Sequence, residues 1–139
     1  TLIDWSCMKK KKHAFKLFGH GGAIDIWSMP HLFFGVVAAI FAIVVGMDFL
    51  PTFALILLIA IFWEWFERRY LGVRENRLNQ SADCALPLIA FSLAYPLFET
   101  VPFAHGSRPA ILVAAVLLFF LLNYISWEAR LNGEREFLG

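Results

Sequence analysis

The sequence predicts an all-α integral membrane protein, a bundle of four transmembrane helices with both N and C termini in the cytoplasm. Three observations predict it. Hydrophobic residues make up 60% of the chain and the mean hydropathy is +0.66, whereas a soluble domain is nearer half apolar. The apolar residues gather into four runs, roughly 30–49, 51–67, 83–98 and 109–127. Each approaches the about 20 helical residues that a bilayer core requires once its polar end is counted. The basic residues are divided unequally between the two ends of these runs. Nothing alternates with period two, and an open strand could not satisfy its backbone in lipid.

The elements follow in order. Residues 1–29 form a basic, interfacial segment whose stretch Met8–Phe18 mixes lysine with Phe and Leu; it reads either as lying on the anionic inner leaflet or as a solvated basic tail. The transmembrane domain covers 30–129, and 130–139 is a charged cytoplasmic tail. Pro30, Pro51 and Pro109 fall in first turns, where a missing N–H costs little. Ser28, Ser81 and Ser107 stand where N-caps are expected. Small residues recur at helical spacing: Gly35, Ala39, Ala42 and Gly46 in span one, Ala60 in span two, Pro87, Ala90 and Ala94 in span three. Such stripes let helices approach closely in lipid. Phe33, Phe34, Phe41, Phe119 and Phe120 are expected to face outward.

Charge gives the direction. Lys9, Lys10, Lys11, Lys12 and Lys16 precede span one, Arg68, Arg69, Arg74 and Arg77 follow span two, and Arg130 and Arg135 follow span four; Arg108 alone lies on the other side. Excess Lys and Arg marks the cytoplasmic face. Arg68 and Arg69, with the four lysines Lys9–Lys12 and with Trp63, Trp65 and Trp127, would anchor the bundle there. Trp5 and Trp27 fall near the same face, as do Cys7 and Cys84, which are expected as free thiols. A net charge of +1 gives no support for nucleic-acid binding.

Span two is short. Thr52–Trp63 measures about 18 Å at 1.5 Å per residue, against a hydrocarbon core of about 30 Å. Glu64 should therefore lie inside the membrane, with Glu67 one turn nearer water. His31 and Asp83 open spans one and three at similar depth, and Asn123 interrupts span four. These groups share faces with the small-residue stripes, so His31, Glu64, Glu67 and Asp83 are expected to converge at the cytoplasmic end. One His and three carboxylates make a divalent-metal set, or an acid–base cluster. They also admit a purely structural reading, with Glu64 paired to Arg68, His31 as the N3 residue of a helix capped by Ser28, and Asp83 on a helix dipole. Intramembrane ionisable groups are functional candidates by default. His13, His20 and His105 read as loop residues and Gly21–Gly22 as a turn, while Ser92 and Ser126 have no triad around them.

Asp25, His31 and Gly35, then Trp63, Glu64 and Glu67, then Asn79 and Asp83 stand in an order that resembles the YjdF-like and VanZ-like small polytopic membrane proteins. The resemblance covers about residues 25–94. It implies a polytopic helical fold and picks out these residues, and it supplies no reaction. Asn79 stands where the YjdF-like pattern tends to carry an aspartate, and Ala90 and Ala94 replace glycines.

Two functions are expected from the sequence. One is a non-catalytic accessory subunit of a larger inner-membrane assembly of respiratory or photosynthetic type, with other transmembrane subunits and lipid as partners and with pigment or haem contacts open to a histidine. The alternative is a YjdF-like protein with a metal-binding or acid–base site at the cytoplasmic end of its bundle.

Overall fold

The structure, a computed structural model, describes residue 24 and residues 26–71, 77–101 and 106–138, with side chains to residue 129. Asp25, the lysine-rich segment, Trp5, Cys7, His13, His20, His105 and Arg74 lie outside the described residues. Four helices follow one another: α1 (Ser28–Val45), α2 (Phe49–Phe66), continued by a π-helical turn (Glu67–Leu71), α3 (Arg77–Thr100) and α4 (Arg108–Leu138). Each is long and apolar enough to cross a membrane. Among the described residues there is no β-sheet.

Local chemistry sets the helix ends. α1 stops at Gly46, whose φ of 79° is the left-handed conformation that glycine adopts without a Cβ penalty. The Met47 N–H donates back to the Ala42 carbonyl at 2.8 Å. Gly46 is thus exposed and ends its helix, where the small-residue stripe had placed it in a helix contact. Asp48 takes an extended conformation before α2, and its carbonyl accepts the Thr52 hydroxyl at 2.8 Å. Ser107 stands just before α4, with its carbonyl accepting the Ile111 N–H at 3.0 Å.

Two expected caps are not caps. Ser28 lies within α1, with its hydroxyl donated across to α3. Ser81 lies in the second turn of α3 and donates to Arg77 O at 2.9 Å. The reason is that α3 starts six residues before Asp83, inside the polar stretch taken as a loop. Asp83 is therefore beyond the first turn, where the helix dipole acts. The charged tail after residue 129 also continues α4 without a break.

The helices pack in the order α4–α1–α3–α2. α1 and α3 make the most extensive contact, α2 lies mainly on α3, and α4 lies on α1; among the described residues α4 has no comparable contact with α2 or α3. Small residues explain the α1–α3 approach. Gly35, Ala39, Ala42, Pro87, Ala90 and Ala94 are all buried, and Phe91, fully buried, fills the space beside Ala39, Ala42 and Ile56. At the end away from Arg68, the Phe49 ring lies 5.1 Å from Phe91 and 5.4 Å from Tyr95, and the Tyr95 hydroxyl donates to Met47 O at 3.0 Å. Phe34 and Phe119, expected to face outward, meet at 6.1 Å in the α1–α4 contact. Trp27 is buried edge-on against Trp127 at 5.6 Å, while Trp63, Trp65 and Trp127 stay exposed as an interfacial belt would.

Candidate metal centre

The chain brings polar residues of three helices together at the end that carries Arg68, Arg69 and Arg77. Ser28 and His31 lie three apart on the first turn of α1, and Asn79 and Asp83 lie four apart on α3, so each pair shares a helix face. The close α1–α3 crossing at Gly35 sets these two faces against each other. Ser28 Oγ donates to Asp83 Oδ1 at 2.8 Å, and Asn79 Nδ2 donates to Asp83 Oδ2 at 2.9 Å. Both Asp83 oxygens are thereby oriented by neutral donors. Asp83 is 1% exposed, a burial that a carboxylate tolerates only with such partners.

Glu64 enters from α2, one helical turn beyond the buried Ala60. One ligand atom each from His31, Glu64 and Asp83 lies within 4.8 Å of the other two, with both carboxylates buried and the imidazole half-buried. A tetrahedral or octahedral ion bound at about 2.0–2.2 Å needs its adjacent ligands about 2.8–3.6 Å apart. Ligand atoms that all lie within 4.8 Å of one another need only small side-chain movements to reach that spacing. One imidazole and two carboxylates suit a borderline or hard divalent ion such as Zn²⁺ or Mn²⁺. Three protein ligands with a further position for water is the pattern of reactive rather than closed structural ions.

Of the four expected site residues, three converge. Glu67 is buried, at 4% exposure, but is not among the three whose ligand atoms meet. It begins the π-helical turn, a feature frequent at functional sites. Arg68, an expected partner of Glu64, is exposed and lines a cleft between α2 and α3 together with Glu64. Asn123 is satisfied on its own helix, donating to Phe119 O at 2.8 Å. Sequence reasoning missed Ser28 as a donor and saw Asn79 only as a departure from a family pattern. Their spacing to His31 and Asp83 was the available signal. It also missed Ser126, which is buried and donates to Ile26 O at 3.2 Å.

No family model matches the chain, and comparison with curated proteins and with solved structures gives no match.

Proposed function

We propose that this chain is a multi-pass protein of the inner membrane, with both termini cytoplasmic, that binds a divalent cation through His31, Glu64 and Asp83 just below the cytoplasmic surface. The carrying observation is the convergence of these three groups, from three different helices, to within 4.8 Å. Two carboxylates this close in a poorly solvated place repel each other, and a doubly charged ion balances both. Asp83 is already oriented on both oxygens, which is how ligand carboxylates are held. The accessory-subunit reading draws on outward apolar faces such as those of Phe41 and Phe120, both exposed, which lipid covers equally well, so the converging donors favour the ion. The orientation is supported by the eleven of twelve basic residues on one side.

Metal analysis and calorimetric titration of the detergent-purified chain with Zn²⁺ and Mn²⁺ test the site. One ion per chain is expected, with His31→Gln, Glu64→Gln and Asp83→Asn each lowering affinity by about 100-fold or more, beyond the usual effect of supporting groups. A chain that takes up neither ion, or whose variants bind as the parent does, removes the proposal. For the orientation, Gly106→Cys in the turn before α4 should react with an impermeant thiol reagent in intact cells; protection there would invert the topology.

A further inference from the structure

Between α2 and α3, on the side of Glu64 that faces outward, runs a cleft of about 840 Å³, within the range of small-molecule sites. Its walls change character along the helix axes. Leu57, Ile61 and Leu88 line the deep part, Glu64 and Cys84 the middle, and Arg68 and Arg77 the mouth. From Leu57 to Arg68 on α2, and from Leu88 to Arg77 on α3, is eleven residues each, or about 16 Å at 1.5 Å per residue. The cleft is thus apolar toward the membrane centre and doubly cationic at the surface. Both guanidiniums belong to exposed residues. α3 also begins at Arg77, so the positive end of its dipole lies at the same mouth.

We infer that this cleft seats an anionic phospholipid, its phosphate between Arg68 and Arg77 and an acyl chain along Leu57, Ile61 and Leu88. A soluble anion would use the mouth but leave the apolar floor uncovered, and an uncharged lipid would use the floor but not the two arginines. The occupant that matches both ends is an amphiphile with a phosphate head and a net negative charge. Guanidinium forks suit phosphate oxygens. The occupant would lie beside Glu64, which serves the cleft and the cation cluster alike. This inference rests on the membrane placement, and its test does not require the cation to be bound.

Cys84 lines the cleft and, with Cys7→Ser, becomes the chain's single thiol. The full chain carrying Cys7→Ser is placed in nanodiscs of phosphatidylcholine alone or mixed with phosphatidylglycerol, and alkylation of Cys84 by an uncharged maleimide is timed. Phosphatidylglycerol should slow the reaction several-fold. In Arg68→Gln/Arg77→Gln the amount needed for half protection should rise about 30-fold, since each basic side chain near an anionic lipid is worth about a fivefold preference. Equal rates in both lipids overturn the inference. So does protection that persists unchanged in the double variant, which would be an effect of surface charge alone. Protection by inorganic phosphate in phosphatidylcholine discs would assign the mouth to a soluble anion and overturn the lipid. The cation titration uses uncharged detergent, so either experiment can fail without touching the other.

Discussion

A single methyl group at Gly35 should loosen both the fold and the site. A Cβ placed there runs into the carbonyl oxygen of Pro87 and stands 2.9 Å from Ala90 Cβ and from Phe91 N. Carbon atoms pack at about 3.5–4.0 Å, so the Ala90 methyl must retreat by about 0.6–1.1 Å. The Pro87 oxygen is backbone, so the whole of α3 must move with it. A gap of about 0.5–1 Å forfeits a quarter to a half of the dispersion energy at each contact along the α1–α3 seam. Overpacking of this kind costs about 1–3 kcal/mol. Gly35 lies one turn from His31 and two turns from Ser28, so the same movement stretches the 2.8 Å Ser28–Asp83 bond beyond hydrogen-bonding range, which adds about 1–3 kcal/mol for a buried acceptor. Gly35→Ala should therefore destabilise the chain by about 2–6 kcal/mol and weaken cation binding together with it.

The assay is equilibrium unfolding in mixed micelles, with Gly46→Ala as the comparison. A Cβ on Gly46 would meet nothing within 4 Å, but the residue holds a φ of 79°, so its alanine variant carries backbone strain alone, about 1–2 kcal/mol. It should leave the cation affinity unchanged. If Gly35→Ala costs less than Gly46→Ala, or costs stability without reducing cation affinity, then the close α1–α3 crossing does not position the cluster and the reasoning fails.

Three further outcomes follow from the geometry. Ser28→Ala removes a donor to Asp83 without removing a ligand, so the cation should bind about 10- to 100-fold more weakly in calorimetry, with stability lowered by about 1–3 kcal/mol in the same unfolding assay. Glu64→Gln should lose the cation while Glu67→Gln changes its affinity by less than about tenfold, a separation that the convergence of three rather than four ligand atoms requires; equal losses would make Glu67 a ligand. Because protons compete with the ion for imidazole and carboxylate, affinity should fall as the pH is lowered, by about tenfold per pH unit for each proton displaced. A flat profile between neutral and mildly acid pH would mean that His31 is not bound to the ion.

The four helices were legible because hydropathy and helix length are both set by the hydrocarbon thickness, and a chain cannot hide runs of that size. The face of each helix was legible where small residues repeat, as at Gly35, Ala39 and Ala42. It misled at Gly46, because glycine serves close packing and left-handed helix ends alike, and only the position of the next helix decides between them. The start of α3 was not legible for a related reason. Arg77, Asn79, Gln80 and Ser81 look like loop residues by composition, yet they prolong a helix because Asn79 faces inward to Asp83, and that partner is invisible to local propensity. Nor could one sequence show that α4 lies on α1 alone among the described helices, since its apolar residues go all round, and lipid and protein contacts use the same side chains.

The register at the end of α2 joins these observations. On a straight α-helix Arg68 lies about 40° from Glu64 at 100° per residue, so the two would occupy nearly the same face, and the guanidinium would be the natural partner of the carboxylate. The chain instead opens into a π-helical turn at Glu67–Leu71. Glu64 and Glu67 are buried, while Arg68, Arg69, Tyr70 and Leu71 are all exposed. Glu64 and Arg68 line the same cleft, the carboxylate at a buried position and the guanidinium on an exposed residue. In the proposed reading the buried carboxylate serves the ion on one side, and the exposed arginine serves an anionic headgroup on the other.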